Sequence, residues 1–142
     1  MKKIIFASIL GLIALSSCQQ NTSAKSEDVK ELTNQVMSIH DEIMPQISHF
    51  DRATIKIDSI LANLNQISSK DNAIDTAATR QELIGLKNDL ETATDNMMTW
   101  MKEYSHDSTD VNYQNSEVEK VKALKKSFED ASLKSNTILG KF

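Results

Sequence analysis

The sequence predicts an all-α protein, an up-down-up antiparallel three-helix bundle with coiled-coil-like packing. Apolar residues recur at heptad spacing along three long segments, which is the pattern of helices that share a core. After Cys18, only Pro45, Gly85 and Gly140 stand as helix breakers, and no stretch alternates apolar with polar as a half-buried strand would.

The N-terminus carries a processing signal. Lys2 and Lys3 precede the apolar run Ile4–Leu15, which is too short to span a bilayer (about 20 residues) but suits a signal peptide. It ends in Leu15-Ser16-Ser17-Cys18, which resembles the bacterial lipobox, where cysteine is lipidated and the chain cut just before it. Residues 1–17 are therefore expected to be removed and Cys18 to carry lipid, anchoring the protein without a transmembrane helix. With its only cysteine used in this way, disulfides, thiolate catalysis and cysteine metal sites are excluded. The formal charge moves from −4 to −6 once Lys2 and Lys3 are lost, which disfavours nucleic acid as a partner. By analogy with lipoprotein sorting, Gln19 after the cysteine points to the outer membrane, with the protein facing the periplasm or the cell surface. Residues 18–25, "CQQNTSAK", read as a flexible tether.

The first helix is predicted over about 26–68. Ser26 is a suitable N-cap, and Glu27 and Asp28 favour the positive end of the helix dipole. Val29, Val36, Ile43, Phe50, Ile57 and Leu64 form one heptad register. Leu32, Ile39, Gln46, Ala53, Ile60 and Ile67 form the other. The phase passes through Pro45 without a reset, so one long helix kinked at Pro45 is expected rather than two.

Ser68–Asn72 supplies the first turn. The second helix, about 73–104, carries Leu83, Leu90, Met97 and Tyr104 in one register and Leu86, Ala93 and Trp100 in the other. Ser105–Asn115 reads as a long polar loop. The third helix, about 116–139, is expected to open on a capping box of Ser116 and Glu119, with Val121, Leu124, Phe128, Ala131 and Ile138 inward. The first helix is too long for the third to cover, so part of the first hairpin should project.

One constellation invites a chemical reading. Folding the first two helices about a turn near residue 71 sets "MSIHDEIMP" (37–45) beside "DNMMTWMKEY" (95–104). Lettering the Val29 register a and the Leu32 register d, Met37 and Met44 fall at b and His40 at e. On the second helix Met98 falls at b and Met101 at e, so the five share a stripe on one side of the pair. Thioethers and imidazole are ligands for Cu(I), which makes Met37, His40, Met44, Met98 and Met101 a candidate soft-metal site, with His106 as a further donor. Copper is the one cofactor this suggests; haem would need a larger cleft than three helices usually offer. The same stripe is where the third helix is expected to dock, so packing is the competing explanation for the methionines.

Enzyme chemistry is not indicated. There is no phosphate-binding glycine loop, nucleophile elbow or His-Glu-x-x-His, and only one Glu-x-x-His spacing (Glu103, His106). Asp41 and Glu42 are adjacent on a helix and point about 100° apart, so they do not converge on one substrate atom.

"VMSIHDEIMP" together with "MMTWMKEY" resembles a group of small helical lipoproteins of Bacteroidota-type bacteria, often labelled "viral A-type inclusion protein". The resemblance spans roughly residues 30–140. It implies a helical lipoprotein and supplies no active site. The function expected is that of a lipid-anchored, non-enzymatic structural or protein-interaction module, through a protein partner or self-association. An envelope Cu(I)-binding protein is the alternative.

Overall fold

The computed structural model describes residues 19–70 and 74–142, with side chains described from residue 25 onward. The expected signal peptide, Cys18 and the turn residues 71–73 lie outside the described residues. Three helices follow in order: α1, Gln19–Lys70; α2, Thr76–Glu103; and α3, Val111–Leu139. All three pairs pack against one another, as the sequence predicts.

α1 has 52 residues and runs unbroken through Pro45. At 1.5 Å per residue it is about 78 Å long. It begins at Gln19 rather than near Ser26, so the backbone of Gln19–Lys25, expected as a tether, is helical. That stretch holds no glycine or proline, and nothing in it breaks a helix already propagating from Val29 onward.

The other starts also differ from expectation, and in both cases an aspartate sets the boundary. Asp75 caps α2, its carboxylate accepting from the backbone N–H groups of Ala77 (2.9 Å) and Ala78 (3.1 Å). Asp110 caps α3, accepting from Asn112 N–H at 2.9 Å, so the helix begins before Ser116 and the capping box with Glu119 does not form its start. Each side chain satisfies donors that the first helical turn leaves orphaned. The second loop shrinks accordingly, and Gln114 becomes a buried helical residue.

The core follows the first heptad register. Val36, Ile43, Phe50, Ile57 and Leu64 of α1 are buried and Val29 is half-buried, whereas in the companion register only Ile60 is buried and Leu32, Ile39, Gln46, Ala53 and Ile67 are half-buried. A helix with two neighbours explains this: the a position points between both, and its flanks each serve one. Interhelical pairs show which flank serves which. Asp58 meets Lys87 of α2 (2.7 Å), and His40 lies against Trp100 of α2, with ring centroids 5.9 Å apart. On the opposite flank Glu42 meets Lys125 (2.7 Å), Ser132 donates to Gln46 (3.2 Å), and Lys56 donates to the carbonyl of Leu139 (3.0 Å), all on α3. Partner numbers fall along α2 and rise along α3, which is up-down-up.

α2 and α3 are tied by Asp89–Lys134 (2.6 Å) and Glu82–Lys141 (2.7 Å). Since Lys56 already reaches the last turn of α3, the α1–α2 hairpin continues past the end of α3. Ile60, Ile67 and Ile74 there form an open groove with Phe142, edged by Lys70 and Lys141.

Candidate functional site

The stripe of methionines and His40 lies in the outer groove between α1 and α2. The expectation that the third helix docks on it is overturned, because α3 packs on the opposite flank of α1, through Glu42, Gln46 and Lys56. The exposures agree: Met37 is 37% exposed, Met98 51% and Met101 38%, while Met44 and His40 are half-buried. Met97, next in sequence to Met98, is fully buried in the core. The groove methionines are therefore not the bed of the third helix.

The ion pair between Asp58 and Lys87 calibrates the geometry of this groove. These residues occupy b of α1 and e of α2, and their tips meet at 2.7 Å. Two heptads toward the α2–α3 loop, the equivalent b and e positions are Met44 and Met101. His40 sits one turn from Met44 on the same side of α1, since residues four apart are neighbours on a helix surface. Met37 flanks His40 one turn further on.

His40 is held in place. Its Nδ1 lies 2.9 Å from Asp41 Oδ1, and its side chain is 14% exposed. A carboxylate accepts and does not donate, so Nδ1 carries the proton and the Nε2 lone pair is left for another partner. The neighbouring carboxylate Glu42 turns the other way, to Lys125. Asp41 and Glu42 thus serve different partners, as their angular separation requires. His106 is exposed in the turn after α2, and His49 pairs with Arg52 at 2.8 Å; neither belongs to the groove.

Beneath the groove lies a buried polar cluster that the sequence reading missed. Trp100 Nε1–H donates to Glu117 Oε2 (2.8 Å), and Lys120 donates to the other oxygen of that carboxylate (2.7 Å). Gln114 accepts from the Tyr104 hydroxyl (3.1 Å), and its amide donates to the carbonyls of Ser108 (3.0 Å) and Ser105 (3.4 Å). Tyr113 accepts from the backbone N–H of Ser105 at 2.7 Å. The rings of Trp100 and Tyr104 stack at 4.9 Å, and that of Tyr113 continues the stack at 6.4 Å. Burial pushes the Tyr104 hydroxyl above its ordinary pKa, against the lowering effect of hydrogen bonds with Thr33 and Gln114. Hydrogen bonding to Glu117 raises the Lys120 ammonium. Among the described residues no buried side-chain polar atom lacks a partner, so this cluster is a satisfied fastening between α2 and α3. One signal could have found it: a tryptophan at a core position needs an acceptor, and Glu117 is the carboxylate facing it from α3.

Among the described residues no three of His, Cys, Asp or Glu gather as a metal cage, and no helix is long and apolar enough to cross a membrane. Comparison with protein-family models, curated proteins and solved structures returned no match.

Proposed function

We propose that the chain is a lipid-anchored cell-envelope protein whose helical bundle acts as a non-enzymatic interaction module. The observation that carries this reading is the hairpin that outruns α3. It leaves a shallow groove with buried Ile60 at its floor, half-buried Ile67 and Ile74 and exposed Phe142 on its walls, and Lys70 and Lys141 at its edge. A partner would gain by covering that groove, since apolar surface left in water is what association buries.

Anchoring fits the same layout. Cys18 immediately precedes α1, and the hairpin groove lies at the far end of a helix about 78 Å long. A lipid on Cys18 would hold one end at the membrane and present the other away from it. The lipobox-like "LSSC" and the resemblance to small helical lipoproteins support this, with the outer membrane as the site and its periplasmic or outer face as the setting.

The test combines processing with proximity. A photo-crosslinking residue at Ile67 or Ile74 in cells should give a discrete adduct that the same residue at exposed Leu133 on α3 does not. Fractionation should find the protein in the outer membrane, lost on Cys18→Ser. No adduct from either hairpin site would sink the interaction reading, and a soluble, unlipidated protein would sink the anchor.

A further inference from the structure

We propose that His40, Met44 and Met101 form a binding site for a soft monovalent cation, Cu(I), at the outer α1–α2 groove, with Met37 and Met98 at its margins. The proposal stands on where the sulfurs are and on what does not cover them. Besides the initiator, the chain has five methionines; Met97 fills the core and the other four, Met37, Met44, Met98 and Met101, lie along this one groove. Packing under α3 would account for them, but α3 lies on the other flank of α1.

Three features make the groove a site as well as an apolar strip. Asp58 and Lys87 show that side chains at b of α1 and e of α2 reach one another across the groove, and Met44 and Met101 stand at the equivalent positions two heptads away. His40 lies one turn from Met44, and the ring pair with Trp100 fixes it at the level of Met101. Asp41 holds the imidazole by Nδ1, leaving Nε2 as the ligand atom, which is the arrangement that orients metal-binding histidines elsewhere.

The donor set selects the ion. Two thioethers and an imidazole suit Cu(I), whereas hard or borderline divalent ions want carboxylates, more imidazoles or thiolates. No such cage exists among the described residues. Met101 and Met37 are 38% and 37% exposed, which leaves the ion a route in, and the Asp41 carboxylate adds compensating charge. Trp100 is the only tryptophan in the chain and lies against His40, so its fluorescence is a probe of an ion bound beside that ring.

The experiment is an anaerobic Cu(I) titration of the full chain carrying Cys18→Ser, in detergent, competed against a chromogenic Cu(I) chelator. The substitution removes the thiol as a rival ligand. Expected are one Cu(I) per chain, held more tightly than about micromolar, and a change in Trp100 fluorescence that saturates at the same point. Met44→Leu or Met101→Leu, which conserve volume, should each weaken binding by about tenfold or more without shifting the melting temperature. His40→Asn should do the same. Binding weaker than micromolar in the parent chain, or binding unchanged in the leucine variants, overturns the proposal.

Discussion

At the level of Phe50 the buried core is apolar: the ring stacks on Phe128 at 4.9 Å, both are buried, and Ile43 and Ile57 lie a heptad to either side. At the level of Trp100 the interior is held by hydrogen bonds, from the indole to Glu117 and from Tyr104 to Gln114 and onward to the loop carbonyls. The apolar level supplies cohesion but specifies register only weakly on α1, where Ile43 or Ile57 would arrive in the place of Phe50 after a slip of one heptad. The polar level would not tolerate it. A slip would strand the Trp100 N–H and the Gln114 amide away from water, at about 1–3 kcal/mol for each group. The two regions divide the work of stability and of register, and the methionine groove lies outside the second.

The largest effect should come from the apolar level. Phe128→Ala removes a fully buried ring and its stack on Phe50, and should cost about 3–5 kcal/mol in a denaturant melt. A loss under about 1 kcal/mol would mean that α3 is not seated there. Next, Glu117→Leu should cost about 1–3 kcal/mol by orphaning the indole N–H, while Glu117→Gln, which keeps an acceptor, should cost less. A cycle with Trp100→Phe should show the double variant less damaged than the sum of the singles. Equal losses for Leu and Gln would show that the carboxylate is incidental. Asp75→Ala and Asp110→Ala each remove an N-cap and should cost about 1 kcal/mol, whereas Ser116→Ala should cost little because Ser116 lies inside α3.

The smallest effect is a pH dependence. The folded-state pKa of Tyr104 is raised by burial, so the folded chain keeps this proton where the unfolded chain begins to lose it, near the ordinary value of 10.0. Its contribution is present below that pH and is lost as pH rises through the folded value. The lysines paired with Asp58, Glu42 and Asp89 are raised above 10.5 by those hydrogen bonds and act in the same direction. Thermal melts should fall above about pH 10, and Tyr104→Phe, though less stable at neutral pH, should fall less steeply. An identical alkaline slope in the variant would remove Tyr104 from the cause.

Periodicity revealed most of this architecture because a residue such as Ile43 or Leu90 has no other stable place than a core. The same logic brought 37–45 beside 95–104, and His40 does meet Trp100. It could not tell which flank of α1 receives the third helix. The b/e flank (His40, Met44, Ile47) and the d/g flank (Ile39, Glu42, Gln46) carry similar mixtures, and the charge pairs that decide it link residues far apart in sequence. Gln114 and Glu117 escaped for a different reason: polar residues beside a loop read as surface, and their burial follows only from the partners that α2 brings. The cap residues were a contest between Asp110 and Ser116, and only backbone geometry decides it.

The sharpest check on the docking of α3, and hence on the open methionine groove, is the rate at which dilute peroxide oxidises each methionine, read by mass spectrometry on the folded chain. Adjacent Met97 and Met98 serve as an internal control, at 0% and 51% exposure. The structure requires Met98 to oxidise fastest, Met37 and Met101 close behind, Met44 more slowly, and Met97 only as the protein unfolds. If Met97 and Met98 react alike, or if Met37, Met98 and Met101 are all protected, α3 lies on the groove after all and this account of the bundle is wrong.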